Sequence, residues 1–183
     1  MQTLVDFSRP VELQPREHDL RAIIGDVMAL STEELSLRKV TLCSELPSNP
    51  VLVNVDADLL KQAIINVVQK GAPALPDGGR LDVVLETEQN AAILRIRDEG
   101  VGIPAEMREK IFDLYFTTKS VGSGIGLAMT YRILQLHHGS VEVESKEDHG
   151  TEFRFRLPFS AAELNRRHLQ PAMDREQGLG EGS

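Results

Sequence analysis

Apolar residues recur along this chain with two periods, one typical of helices and one typical of strands. Helical spacing after Asp19, which can cap a helix start, predicts a first helix with apolar positions Leu20, Ile23, Ile24, Val27, Leu30 and Leu35. A second helix is predicted after Asp56, stopping around Gly71 and Pro73. Its polar stripe contains Gln62, Asn66 and Lys70. A third helix is predicted over residues 124–138, ended by Gly139.

Runs rich in β-branched or alternating apolar residues predict six strands. They are residues 40–46, 51–55, 81–86, 92–97, 141–145 and 151–157. The third and fourth should form a hairpin around Gln89 and Asn90. In the last run, apolar and charged residues alternate strictly, so one face should pack in the core and the other should face solvent. The pattern predicts an α/β two-layer sandwich, in which about three helices pack on one face of a mixed sheet.

The two ends of the chain are predicted to lie outside this unit. Pro10 and Pro15 interrupt residues 1–18, which we expect to be the end of a preceding helix and a linker. Residues 19–158 are the predicted domain. Residues 159–183 are polar and glycine-rich, and they are predicted to be a disordered tail.

Composition excludes several classes of function. The 183 residues allow one ordinary domain, and a net charge of −8 argues against general nucleic-acid binding. Cys43 is the only cysteine, so neither an internal disulfide nor a cysteine zinc cluster can form. No apolar run approaches the roughly 20 residues of a membrane helix, so we expect this segment to be cytoplasmic and to make no membrane contact.

Asp98-Glu99-Gly100-Val101-Gly102-Ile103 directly follows a predicted strand. A carboxylate at a strand end can accept a hydrogen bond from an exocyclic amine such as that of adenine, and the glycines allow backbone to approach a ring closely. The alternative is an ordinary turn before a helix, and this motif by itself does not decide between them.

A second glycine cluster, Gly122-Ser123-Gly124-Ile125-Gly126-Leu127, precedes the third predicted helix. Free amides and the positive end of the helix dipole at such a start favour phosphate. The cluster has neither the Walker nor the Rossmann pattern, and taken alone it is equally consistent with a flexible loop.

In order along the chain, five segments resemble the catalytic and ATP-binding domain of histidine kinases, in the superfamily that also holds gyrase-type and mismatch-repair ATPases. The segments are an asparagine box at residues 62–70, the loop at 98–103, a phenylalanine box at 111–119, the glycine-rich lid at 122–127, and Gly150-Thr151. The resemblance covers residues 19–158 and implies the Bergerat-type ATP-binding fold. The phenylalanine box and short lid look most like the nitrogen-regulatory type of kinase.

The resemblance implies roles for individual residues in binding ATP or ADP. Asp98 would bind the adenine amine, Gly100, Gly102 and Ile103 would belong to the base pocket, and Thr151 would support it. The lid residues Gly122, Gly124, Gly126 and Leu127 would close around the phosphates. Lys119 would be a phosphate partner, although a solvated surface lysine is equally expected there.

The asparagine box departs from the family pattern. The family has two asparagines four residues apart, and the second ligates Mg²⁺; here Asn66 is the first and Lys70 replaces the second. Lysine has no acceptor atom, so Mg²⁺ binding, for which Asn66 alone remains, is expected to be weak or lost. Lys70 could instead neutralise phosphate directly. Asn66 and Lys70 are the candidate catalytic residues.

None of the histidines is predicted to accept phosphate. His18 begins a His-Asp-Leu-Arg stretch resembling the family's acceptor box, but Ile23 stands where that box has proline, so His18 is expected to be a surface linker residue. His137 and His138 are expected to be structural. The acceptor would lie upstream of Met1, and this chain alone should not autophosphorylate.

The resemblance therefore implies the catalytic domain of a two-component sensor histidine kinase. Its expected partners are the dimerisation and acceptor domain of the same kinase and a response regulator, and the isolated domain is expected to be a monomer. A degenerate nucleotide-binding regulatory module, favoured by Lys70, remains the alternative. A third candidate, an anti-sigma-factor serine kinase, is disfavoured by the apparent remnant of a dimerisation helix at residues 4–10.

Overall fold

The computed structural model describes residues 12–113 and 124–176. Its strands are β1 Arg16–Asp19, β2 Val40–Glu45, β3 Leu52–Val55, β4 Gly79–Thr87, β5 Ala91–Asp98, β6 Ser140–Ser145 and β7 Thr151–Pro158. Its helices are α1 Leu20–Leu37, α2 Ala57–Ala74, α3 Ala105–Arg108, α4 Gly126–Leu136 and α5 Ala161–Glu176.

Five strands form a mixed sheet in the order β2-β4-β5-β7-β6. Strand β2 pairs with β4 in parallel, and every other neighbour in this sheet is antiparallel. The predicted hairpin is confirmed as β4 and β5. In the β5–β7 register, Asp98 lies opposite Thr151, so two predicted site residues lie at the same end of adjacent strands.

The helices cover one face of the sheet, as predicted. Side chains at alternate positions of the central strands meet the apolar faces of α1, α2 and α4 in a largely aliphatic core with a few phenylalanines. On the opposite face, Arg95 pairs with Glu86 at 3.0 Å and with Glu152 at 3.4 Å. Burial of a large aliphatic side chain stabilises a fold by about 1.5–3 kcal/mol, so the helix-covered face supplies most of the folding energy.

Two aspartates begin helices as the sequence predicts. The Oδ1 atom of Asp19 accepts hydrogen bonds from the amides of Arg21 and Val51, both at 3.1 Å. The Oδ1 atom of Asp56 accepts one from the amide of Leu59 at 3.3 Å. Helix α2 continues to Ala74, beyond the predicted stop, because Pro73 falls in its last turn, where a missing N–H removes only one helical hydrogen bond.

Strand β1 differs from the prediction of a linker. Its four polar residues pair antiparallel with β3, and His18 lies opposite Val53. His18 is therefore a strand residue, and the predicted boundary at residue 18 falls inside a hydrogen-bonded element. Pairing with a neighbouring strand, which local sequence does not reveal, stabilises this polar segment.

Helix α5 contradicts the prediction of disorder for most of residues 159–183. Ser160 starts this helix by accepting a hydrogen bond from the Glu163 amide at 3.2 Å. The Glu163 side chain is fully buried and bonds Arg166 at 2.8 Å and Arg167 at 2.6 Å. Burial alone raises the pKa of Glu163, but the two arginines outweigh it and hold that pKa below its ordinary value. Residues 177–183 lie outside the described part.

In the parts of the chain that the structure describes, no helix is long and apolar enough to cross a membrane.

Candidate functional site

A pocket of about 190 Å³ opens between the end of α2, the loop after β5 and the start of β7. Six predicted site residues line it: Lys70, Asp98, Gly102, Ile103, Leu127 and Thr151. Its other lining residues are Gly71, Pro73, Ala74, Val101, Pro104, Met107, Ile111 and Phe153. Since most of these are apolar, the pocket offers hydrophobic walls with a few polar groups, as small-molecule sites usually do.

Asp98 places a carboxylate in the wall of this pocket. It is the last residue of β5 and only 6% exposed. Its Oδ1 atom accepts a hydrogen bond from the Gly100 amide at 2.9 Å. Burial raises the pKa of Asp98 above its ordinary value, while hydrogen bonds from the amides of Gly100 and Thr151 partly oppose that rise. The group can accept a hydrogen bond from a ligand amine in a dry environment.

The loop after Asp98 is fastened to the end of α2. The amide of Val101 donates to the carbonyl of Ala74 at 3.0 Å. A Cβ atom on Gly100 would lie 2.1 Å from that same carbonyl oxygen, so only glycine fits there. Gly100 contacts α2 and is not among the residues that line the pocket, so its role in the base pocket stays a prediction.

Gly102 does line the pocket, and its glycine identity also has a structural reason. Its φ is +70°, and a Cβ atom would lie 2.1 Å from the carbonyl oxygen of Lys146 in the β6–β7 turn. The amide of Asp148 donates to the carbonyl of Val101 at 2.9 Å. The loop is therefore held between α2 on one side and the β6–β7 turn on the other.

Ser145 is a residue of this site that the sequence analysis missed. Its Oγ atom accepts a hydrogen bond from the Ile103 amide at 2.7 Å and donates to the Gly150 carbonyl at 2.9 Å. The same oxygen lies 2.9 Å from Oγ1 of Thr151. Ser145 thus supports both Ile103 and Thr151, and no motif in its own segment signals this role.

Asn66 contacts the glycine-rich segment rather than the pocket. Its Nδ2 atom donates to the carbonyl of Gly126 at 2.9 Å, and the hydroxyl of Thr130 reaches the same oxygen at 3.0 Å. Gly124, with a φ of +64°, precedes α4. Asn66 and Gly126 therefore meet where α2 contacts the start of α4, and neither they nor Gly124 line the pocket.

Lys70 lies one helical turn after Asn66 and does line the pocket. Its ammonium cannot ligate a cation, and its charge opposes one nearby. Among the described residues, no group of three or more His, Cys, Asp or Glu side chains could hold a metal ion. Lys70 therefore supplies no oxygen ligand for Mg²⁺ at this position of α2.

The start of the predicted phenylalanine box borders the pocket. Ile111 lines it, and the ring of Phe112 lies 5.9 Å from that of Tyr131 and 6.4 Å from that of Phe153. These aromatic contacts connect the segment to α4 and β7. The rest of the box, with Lys119, and the lid residue Gly122 lie outside the described residues.

His137 is structural, as predicted. Its side chain is buried, its Nε2 atom accepts a hydrogen bond from the Asp56 amide at 2.9 Å, and its Nδ1 atom lies 2.7 Å from the Ile133 carbonyl. Because an amide donates to Nε2, Nδ1 is the ring nitrogen that donates to the Ile133 carbonyl. The imidazole therefore joins the end of α4 to the start of α2.

The segment that holds most of this site matches a known protein family. Residues 55–161 match the family described as histidine kinase-, DNA gyrase B- and HSP90-like ATPase. The chain belongs to this family. It is an ATP-binding catalytic domain homologous to those of two-component sensor histidine kinases.

Curated relatives are sensor kinases considerably longer than this chain. Sporulation kinase D of Bacillus subtilis is 36% identical over 146 residues, which are 79% of this chain and 29% of that protein. The Escherichia coli signal transduction histidine-protein kinase AtoS is 32% identical over 161 residues, 87% of this chain and 26% of that protein. The chain thus spans about a quarter of the length of these relatives.

Solved structures of histidine kinases share the fold over most of the chain. The catalytic domain of histidine kinase ThkA is 29% identical with a TM-score of 0.74, covering 82% of this chain and 99% of that domain. A structure of ThkA in complex with the response regulator protein TrrA is 28% identical with a TM-score of 0.70, covering 81% of this chain and 42% of that one.

Proposed function

We propose that this domain, within its parent protein, binds ATP in the 190 Å³ pocket and delivers the terminal phosphate to a histidine on a dimerisation domain. A response regulator would then receive the phosphate, in keeping with the ThkA structure that contains one. The observation that carries the proposal is Asp98, a buried carboxylate in a pocket that also presents the Lys70 ammonium. As an isolated domain the chain is expected to be a monomer.

The described residues divide into a base region and a phosphate region. Asp98 accepts a hydrogen bond from the adenine amine, while Ile103, Leu127 and Phe153 supply apolar surface to the ring. The triphosphate extends toward Lys70 and the start of α4, where free backbone amides favour anions. In this arrangement the domain contributes positioning and electrostatics, not covalent chemistry.

Lys70 takes a role that the family otherwise gives to a metal ligand. Its ammonium neutralises phosphate charge as a point charge, and Asn66 keeps α2 in contact with the glycine-rich segment through the Gly126 carbonyl. Mg²⁺ is typical of the family, but the lysine does not fit it. Binding of ATP or ADP is therefore proposed to depend little on Mg²⁺.

Phosphotransfer in trans tests the kinase assignment. The domain is mixed with the parent's separately produced dimerisation domain and γ-labelled ATP, and labelled histidine is measured with and without Mg²⁺. Label above that of a reaction lacking the domain supports the proposal, and Asp98→Ala should abolish that signal. If the wild type binds ATP but never labels the acceptor, the kinase assignment is wrong.

A second candidate is a nucleotide-binding regulatory module without phosphotransfer, and Lys70 is the residue that favours it. Titration calorimetry of ATP with and without Mg²⁺ on the wild type and on Lys70→Asn examines the metal question directly. We expect little Mg²⁺ effect in the wild type and a clear Mg²⁺ enhancement in the variant, which regains an acceptor oxygen. Strong Mg²⁺ enhancement in the wild type would contradict the role given to Lys70.

A further inference from the structure

A second cleft, of about 480 Å³, adjoins the proposed ATP pocket at Asp98 and Thr151. The end of β5, the short helix α3 and the β6–β7 hairpin bound it. Four basic side chains line it: Arg97, Arg108, Lys146 and His149. The whole chain carries a net charge of −8, so such a concentration of basic groups is a local exception.

The basic groups of this cleft differ from those elsewhere on the open face of the sheet. Arg95 and Arg154 pair with Glu152, and Arg156 pairs with Glu88. Within residues 12–113 and 124–176, by contrast, Arg97 and Lys146 form no ion pair with a carboxylate, and neither does Arg108. The three basic side chains Arg97, Arg108 and Lys146 are therefore not held in ion pairs, although three carboxylates also line the cleft.

The acidic residues that line the cleft offset only part of this charge. Glu152 is already held by two arginines, and the Asp98 carboxylate accepts hydrogen bonds from the Gly100 and Thr151 amides. Glu144 is the remaining carboxylate of the lining. The Nδ1 atom of His149 lies 2.8 Å from the Glu147 carbonyl, which leaves Nε2 as the ring nitrogen available to a ligand.

We propose that this cleft is a second binding site, for a small polyanion that carries phosphate or several carboxylate groups. Two guanidinium groups and an ammonium converging on one cavity provide the donors such a ligand requires, and guanidinium forks match both oxyanions. The volume is large enough for a molecule of the size of pyrophosphate or a tricarboxylate. Asp98 and Thr151 line both this cleft and the ATP pocket, so the two sites share a wall.

The experiment titrates the domain with pyrophosphate, and separately with citrate, while the ATP pocket is kept saturated with ADP. Backbone amide NMR shifts report the site. We expect saturable chemical-shift changes at residues 144–151. The variant Arg97→Gln should lower the affinity for the anion by about threefold, and the double variant Arg97→Gln with Lys146→Gln by about tenfold, as for partly exposed ion pairs. The two probes distinguish phosphate from carboxylate as the preferred group.

Three controls make the proposal refutable. The variant Arg156→Gln removes one positive charge from the same face of the sheet, outside the cleft. If it lowers the affinity for the anion as much as Arg97→Gln does, the effect comes from net charge alone and the proposed site is wrong. Lys70→Gln acts on the ATP pocket, so loss of polyanion binding in that variant alone would assign the ion to the nucleotide site. Binding of an acidic peptide with the expected variant pattern, but of neither small anion, would overturn the proposal in favour of a protein partner.

Discussion

Replacing Gly100 with alanine should damage the ATP site from outside the pocket. The added Cβ atom would lie 2.1 Å from the Ala74 carbonyl oxygen and 2.9 Å from Oδ1 of Asp98. Ordinary contact begins near 3.4 Å, so the loop and helix α2 must separate by 3.4 − 2.1 = 1.3 Å. That movement breaks the Val101 to Ala74 hydrogen bond, which is 3.0 Å long.

The energetic cost follows from two contributions. Overpacking typically costs about 1–3 kcal/mol, and the lost backbone hydrogen bond adds about 1 kcal/mol. We therefore expect Gly100→Ala to lower the free energy of unfolding by about 2–4 kcal/mol. The Asp98 carboxylate moves with the loop, so ATP affinity should fall by about tenfold or more, since about 1.4 kcal/mol corresponds to a factor of ten.

Urea denaturation and ATP titration calorimetry measure the two effects. Gly126→Ala is the matched control, because its Cβ atom would lie 3.6 Å from Cγ of Asn66, an ordinary contact, at the start of a helix. Its free energy of unfolding should stay within about 1 kcal/mol of the wild type. If Gly100→Ala is as stable as Gly126→Ala and binds ATP like the wild type, the packing argument at Ala74 is wrong.

Four further predictions concern three side chains, those of Asp98, His137 and Ser160. Burial raises the pKa of Asp98, and the carboxylate is lost as the pH drops through that pKa, so ATP affinity measured by calorimetry should fall. The variant Asp98→Asn should bind ATP at least about tenfold more weakly than the wild type, and its affinity should lack that pH dependence. The raised pKa of Asp98 stabilises the fold at pH values below the ordinary pKa of 3.8, and this contribution is lost as the pH rises through the folded-state pKa. In urea titrations, the free energy of unfolding of the wild type relative to that of Asp98→Asn should therefore fall as the pH rises. His137→Ala leaves the partly buried Asp56 amide without its acceptor and should cost about 1–3 kcal/mol in urea denaturation; an unchanged midpoint would refute its structural role. Ser160→Ala removes the cap of α5 and should cost about 1 kcal/mol, with faster amide exchange in α5; unchanged exchange would show that the cap is unimportant.

The sequence predicted the helices and strands in which apolar residues recur at helical spacing or alternate with polar ones. In β7, buried Phe153 and Phe155 alternate with charged residues, and the strand forms as expected. Strand β1 has no such alternation. It depends on hydrogen bonds to β3, a strand that is distant in sequence. Helix α5 has a mostly polar sequence, but Ser160 and Glu163 form a capping-box pattern that could have revealed its start.

The site was predictable to the extent that its residues lie in motifs. Asp98 and Thr151 come together because β5 and β7 are paired, and the family motifs mark both. Gly100 must be glycine because the Ala74 carbonyl lies against it, and Ser145 supports the site because it accepts a hydrogen bond from the Ile103 amide. Neither role follows from the local sequence. The partners that decide these two roles belong to other elements of the fold.

The two-stranded ribbon of β1 and β3 also receives the other end of the described chain. The Ser160 amide bonds the Leu52 carbonyl at 2.9 Å, and Arg166 of α5 bonds the Pro50 carbonyl at 2.7 Å. A pulling force applied through β1 and α5 would therefore load this ribbon before it reached the five-stranded sheet that carries Asp98. The hydrogen bonds of the ribbon would then carry part of a force that otherwise passes through β7 to the end of the sheet where Asp98 and Thr151 lie.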